Sequence, residues 1–411
     1  KPLQKLRYNT KDCSQKSLWN KDMKKKTLIA LLVFTAVVLI GGGLYLANRW
    51  NKPMAEAINL PSRTAVTPSA QSSTPDGQAE TSVPTQTSAA ATDLPTTAFT
   101  ATAPKPLCGG PEVMYIIAAG IDTDDPNYTY GLSDVMRVIR VDFVTPKVTV
   151  LTLPRDLKVD LVDIIAAKAA EVPNAKLNQA YFYGSPGMSY YTGTGGGMGL
   201  LARVLAHNYD LYVDNYAAVN MIAFEEIIDA MGGVDVYLEE PVDGRPLGKD
   251  DVDPYKQGQG YFPKGWNHLT GFDALSFVRI RDRYGEVART DHQTMLICGI
   301  QDKLNSPEII TSVPNMVLSV LDDIQTDLTL AQIRQLICLL PKLSRENLQF
   351  VRFPDEWMVQ GRADIARLGN TFVWDIPVEK IVEFINAFEN DTLPVVLEEG
   401  GTTCPVNPPK K

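Results

Sequence analysis

The chain has 411 residues, 45% of them hydrophobic and 21% charged, with a formal net charge of −9. This is a globular composition, long enough for one large domain or two ordinary ones. The acidity argues against nucleic-acid binding through a broad basic face, but leaves room for a small cationic pocket.

Thr27–Ala47 ("TLIALLVFTAVVLIGGGLYLA") is uncharged. As a helix it would measure about 31 Å, the thickness of a bilayer's hydrocarbon core. It is longer than the apolar core of a cleaved signal peptide, and so predicts a transmembrane anchor. Lys21, Lys24, Lys25 and Lys26 precede it, and only Arg49 and Lys52 follow closely. Residues 1–26 are therefore expected to be a cytoplasmic tail, with everything after residue 48 outside the membrane. Residues 48–107, rich in Ser, Thr, Pro and Ala, read as an extracytoplasmic linker, and 396–411 as a flexible tail.

The folded region, 108–395, alternates strand and helix signals. "EVMYIIAAG" (112–120) is a buried-strand run; "DVMRVIRVDFV" (134–144) and "VTVLTL" (148–153) form a hairpin about Thr145-Pro146-Lys147. "GLLARVLAHN" is predicted helical, "LYVDNYAAVN" a strand, "MIAFEEIIDAM" a helix stopped by Gly232-Gly233, and "VDVYL" (234–238) a strand. Helices follow at 270–278, with Thr270 as cap, and at 286–304. "TLAQIRQLICLL" and "PVEKIVEFINAF" are later helices flanking the strand "LQFVRF". Such interleaving predicts an α/β three-layer α/β/α sandwich with a mixed central sheet.

Cys108 and Cys404 bracket this region and are expected to pair, while Cys298 and Cys338, each in an apolar helical pattern, read as buried thiols. "GTGGGMG" (193–199) fits no P-loop and reads as a mobile loop. The aliphatic and aromatic residues of 198–230 read as core rather than as an apolar tunnel. His207, His268 and His292 have no metal-ligand spacing, and no Ser-His-Asp order appears.

Charge is placed less evenly. Asp134 opens one hairpin strand and Arg155 follows its antiparallel partner, so both lie at one end of the hairpin. Asp122, closing the first strand, joins them if that strand runs parallel to 148–153. Two carboxylates and an arginine there suit magnesium bridging to phosphate oxygens, but on spacing alone turn-capping aspartates and a structural "PRD" salt bridge are the favoured reading. "SFVRIRDRYGEVARTDHQ" (276–293) carries Arg279, Arg281, Arg283 and Arg289. Arg279 and Arg281 point the same way if extended, and Glu286, Arg289 and Gln293 share a helical face. Converging guanidiniums suit a pyrophosphate; a solvated polar face is the alternative.

The ordered motifs "GID", "LSDVMRVIRVD", "LTLPRDLKV", "AKLNQAY", "MGGVDVYL", "LTGFDALSFVRIR" and "EVARTDHQ", over roughly 112–305, resemble the LytR-CpsA-Psr (LCP) family. The resemblance implies a membrane-anchored phosphotransferase with an α/β/α fold. Such an enzyme moves a glycopolymer from a polyprenyl-pyrophosphate carrier onto a peptidoglycan hydroxyl. On this reading 108–305 is the catalytic domain and 306–395 the C-terminal part of the same domain. Asp122 and Asp134 would hold Mg2+. Arg155, Lys176, Arg279, Arg281, Arg289 and Gln293 would bind the pyrophosphate, with Glu286 in the catalytic set, and Arg283 would be surface. Leu132 and His292 stand where the family usually has arginine, and Glu286 where it has aspartate, so Leu132 and His292 each remove an anion contact. A pyrophosphatase using the same site, or a non-catalytic envelope protein binding lipid-linked anionic polymer, are the rival readings.

Overall fold

The computed structural model describes Trp50 and residues 52–60, 105–248, 260–281, 283–306 and 313–393. The expected anchor, most of the expected linker and the C-terminal tail lie outside them, as do Cys13 and Cys404. No helix among the described residues is long and apolar enough to cross a membrane.

Strand β1 (Val113–Ile121) pairs antiparallel with β2 (Ser133–Asp142), and β2 antiparallel with β3 (Lys147–Thr152). Asp142 closes the β2–β3 turn by accepting the N–H groups of Val144 and Thr145 at 2.9 and 2.8 Å. β4 (Asn215–Val219) lies parallel to β1 on its other side. β5 (Val234–Leu238) and β6 (Gly265–Leu269) form a separate antiparallel ribbon. β7 (Gln325–Thr326) and β8 (Leu348–Val351) are the edges of the main sheet, whose order is β7-β4-β1-β2-β3-β8. The sheet is thus mixed, as expected. With β1 and β3 both antiparallel to β2, they run parallel, and residues following each emerge at one sheet end. A hairpin, β9 (Gln360–Ile365) and β10 (Gly369–Trp374), fills a stretch the sequence left unassigned.

Helices cover both faces. On one, α1 (Leu177–Gly184), α2 (Gly196–Tyr209) and α8 (Val378–Glu389) bury Tyr181, Leu201, Leu205, Ile381 and Phe388 against Ile117, Val138 and Leu151 of the sheet. Met198 to Leu205 are packed in this core, as their apolar pattern predicts. A third cluster joins α3 (Met221–Ala230), the β5–β6 ribbon, α4 (Gly271–Arg279) and α5 (Gly285–Asn305). Thr270 caps α4 through a reciprocal bond with Asp273. On the opposite face, α6 (Val313–Val320) and α7 (Leu330–Leu339) pack over Met114, Ile116 and Val141.

Four expectations are corrected here. The "GTGGGMG" segment is no mobile loop: Gly196 to Gly199 form the first turn of α2, and a Cβ at Gly197 would meet the Tyr181 ring at 2.7 Å. Glycine is there for close helix packing. Residues 52–60, assigned to the free linker, lie on the domain. Met54, Ala55, Ile58 and Leu60 pack on its cores, and buried Asp327 accepts the Ile58 N–H at 3.2 Å. Cys108 pairs with Cys338, not Cys404, because α7 lies against the turn at Leu107–Gly109. Cys298 is disulfide-bonded as well, so neither helical cysteine is a free thiol.

Candidate active site

Asp122 follows β1, Asp134 is the second residue of β2, and Arg155 follows β3; all three lie at the same sheet end. The backbone N–H groups of Asp122 and Asp134 both donate to Leu132 O, at 2.9 and 3.1 Å, which holds the two aspartates side by side. The Asp134 carboxylate takes Arg155 Nη1 at 2.6 Å on one oxygen and Asn178 Nδ2 at 3.0 Å on the other. Asp156 then bridges two cations, accepting from Arg155 Nε at 3.2 Å and from Lys176 Nζ at 2.7 Å. The backbone of this loop is clamped in turn: Asp156 O accepts from Trp374 N at 3.1 Å, and the β10 ring of Phe372 lies 5.6 Å from Lys176 Nζ.

From the opposite side α5 supplies Glu286, Arg289 and Gln293, on the shared face their spacing predicts. With Asp134, Arg155, Thr290, Arg352, Phe353 and Met358 they line one cleft. Arg289 pairs with Glu286 and also donates to Asp134 O at 3.3 Å. Burial pushes the Arg155 guanidinium down, but the carboxylates of Asp134, Asp156 and Glu286 outweigh it and hold its pKa above the ordinary value. The cleft therefore keeps fixed positive charge on groups already oriented for an anion.

Not every predicted residue converges there. Lys176 reaches the cleft wall only through Asp156. Arg279 is not on extended backbone: it is the last residue of α4, half-exposed, with Nη2 3.7 Å from Asp122 Oδ1. Arg281 is exposed in the turn before α5. Arg283, read as surface, is instead tied to the 243–246 loop, its Nε 3.5 Å from Asp243 and 3.2 Å from Arg245 O. Asn178, Asp156 and Arg352 were missed as site residues. Asn178 and Asp156 sit in the recognised motifs, while Arg352 reaches the cleft from the residue after β8, which pairs with β3 only in the folded sheet.

His292 does not face the cleft. It lies one helical step from Gln293, and that step turns it into the core cluster, against the rings of Phe277 (centroids 4.9 Å) and Tyr284 (5.8 Å). The departure from the family pattern is thus a core substitution rather than a lost anion contact. Burial lowers its pKa from 6.5 to about 4. The unfolded chain binds the proton more tightly, so stability is full above about pH 6.5 and is lost as pH falls towards 4. His292→Leu is expected to remove up to about 3 kcal/mol of this acid sensitivity. Urea midpoints at pH 7 and pH 4.5 test it; an equal fall in parent and variant rules the effect out.

The donor set fits a hard cation. Magnesium needs only one or two carboxylates, taking its remaining oxygens from substrate and water, and Asp122 and Asp134, whose backbone N–H groups share Leu132 O, lie at the same sheet end. No cluster of three acidic, His or Cys ligands occurs among the described residues, and a substrate-completed magnesium site needs none.

A family model described as the LytR_cpsA_psr family matches residues 81–387. The polyisoprenyl-teichoic acid–peptidoglycan teichoic acid transferase TagV of Bacillus subtilis is 26% identical over 220 residues, 53% of this chain and 50% of that protein. A TagU transferase of Oceanobacillus iheyensis is 27% identical over 228 residues, 55% of this chain and 62% of its own. The chain thus aligns with half to three-fifths of these relatives' length. Among solved structures, B. subtilis TagV superposes with a TM-score of 0.51 at 19% identity, covering 69% of this chain and 99% of that one. Protein gbs0355 of Streptococcus agalactiae does so at 0.51 and 20%, covering 72% and 93%. At such identity the likeness concerns the α/β fold.

Proposed function

The chain belongs to the LytR-CpsA-Psr family, and from that premise we propose that it is a phosphotransferase. It moves a glycopolymer from a polyprenyl-pyrophosphate carrier onto a cell-wall acceptor, a peptidoglycan hydroxyl. The observation that carries this reading is the cleft itself: Arg155 and Arg289 are held by Asp134, Asp156 and Glu286 at the sheet end, facing a common space. Phosphoryl transfer needs positioning and charge neutralisation more than covalent help, and this array supplies both.

In the reaction the acceptor oxygen attacks the distal phosphorus, and the bond from that phosphorus to the bridging oxygen breaks. The bridging oxygen leaves on the prenyl phosphate, and the hydroxyl proton passes to a carboxylate, for which Glu286 at the cleft wall is the candidate base. Arg155 and Arg289 stabilise charge on the transferring group, and Gln293 orients it. Lys176, Arg279 and Arg281 are assigned to the flanking pyrophosphate oxygens. Magnesium on Asp122 and Asp134 would neutralise charge on the pyrophosphate oxygens. Thr27–Ala47 would anchor the enzyme with this domain on the outer face of the bacterial membrane, where carrier and wall meet.

The test is to incubate the purified chain with magnesium, a lipid-pyrophosphate-linked glycan and peptidoglycan oligomers. The names of the relatives make teichoic acid the first polymer to try. Glycan joined to the acceptor is the expected product. Free phosphorylated glycan with no joined product would replace transfer with hydrolysis, and binding without turnover would leave an anion-binding envelope protein.

A further inference from the structure

Beneath the cleft lies a fourth guanidinium, inside the "LSDVMRVIRVD" motif but given no role by the resemblance. Arg137, on β2 opposite Thr152 of β3, is 4% exposed. Its Nη2 makes three long contacts, to Thr290 O at 3.5 Å, Gln293 Oε1 at 3.4 Å and Thr294 Oγ1 at 3.4 Å. Nε and Nη1 are shut away from solvent without a hydrogen-bond partner among the described residues. The Phe350 ring stands 6.0 Å away, and Asp291 acts on it at longer range. Burial depresses its pKa to about 10, which leaves it charged at neutral pH.

As a purely structural group this arrangement is poor. Two buried, unpaired N–H-bearing nitrogens forfeit their hydration, and an apolar isostere at such a place is commonly neutral or stabilising. What the arrangement does achieve concerns Gln293 and Thr290, which both line the cleft. A guanidinium only donates, so the Gln293 oxygen must be the atom facing Arg137. The Gln293 amide nitrogen is then turned the other way, with a contact of 3.5 Å to Val278 O and a second N–H to spare.

We propose that Arg137 is a positioning residue of the anion site. It clamps the Gln293 carbonyl from below, so that this side chain offers only N–H to a bound pyrophosphate, and it adds a buried positive charge under the cleft floor. The inference rests on the pyrophosphate reading above. It concerns a residue that touches no substrate, and it explains why a cation is kept where packing alone would favour methionine.

The experiment measures inorganic pyrophosphate binding by calorimetry, with magnesium, and urea stability, for the purified chain and for R137M, R137K, Q293L and the double variant R137M/Q293L. R137M is expected to be at least as stable as the parent, yet to bind pyrophosphate about tenfold more weakly, the scale of one charge-assisted hydrogen bond. Q293L should show a similar loss, and the double variant no more than the larger single loss, because both act through one contact. R137K should recover part of the affinity. Parental affinity in R137M, or losses that multiply in the double variant, would overturn the inference and leave the proposed function standing. A parent chain that does not bind pyrophosphate at all would overturn both.

Discussion

Arg155→Ala is expected to lower glycopolymer transfer by at least about 100-fold, the scale of removing one preorganised charge donor from a transition state. Arg155 contacts both Asp134, at 2.6 Å, and Asp156, at 3.2 Å, while also lining the cleft. Its side chain is 18% exposed, so its charge acts in a partly desolvated space. Without it, Asp134 keeps Asn178 and Asp156 keeps Lys176, so neither carboxylate is stranded, and the stability loss should stay near about 2 kcal/mol. Arg155→Lys should fall between, since an ammonium restores charge but not the fork that spans two partners. Transfer rates with unfolding midpoints for all three proteins make the check. Near-parental turnover in Arg155→Ala would remove this arginine from the mechanism.

The largest expected effect on stability comes from the Cys108–Cys338 disulfide. It joins residues separated by 230 positions and ties the segment entering β1 to α7. Closing so long a loop in the unfolded chain is worth about 5 kcal/mol by loop-entropy arguments. The Cys108→Ser/Cys338→Ser double variant is therefore expected to show a markedly lower urea midpoint than the parent under non-reducing conditions. Using the variant rather than a reductant leaves the Cys298 disulfide intact. An unchanged midpoint would mean that the turn at Leu107–Gly109 is held by the Leu107 N–H bond to Phe143 O, at 2.8 Å, and by Gln335 alone.

Most strands and helices could be read from the chain because their signals are local. Alternating burial along β1, the turn at Thr145-Pro146-Lys147 and the Thr270 cap each depend on a few neighbouring residues. The face shared by Glu286, Arg289 and Gln293 followed from helical spacing alone. The readings that failed depended on distant partners. Glycines at 195–199 look the same in a mobile loop and in a tightly packed helix start; only the approach of Tyr181 tells them apart. Residues 52–60 are short and compositionally close to a linker, and their place is set by Asp327, 269 positions from Ile58. Whether Arg279 is helical or extended could not be read because no strong helix stop follows residue 278, and the helix runs on to include it.

By itself the sequence determined the family, the α/β alternation and the residue types of an anion site, since these rest on ordered motifs and short-range periodicity. Tertiary structure decided which charges meet. It put Arg155, Glu286, Arg289 and Gln293 around one cleft, turned His292 into the core a single residue away, and set Arg137 beneath Gln293. It also chose the partner of Cys108. Those outcomes depend on sheet order and on how α5 and α7 are rotated against the strands, and short-range periodicity does not specify either.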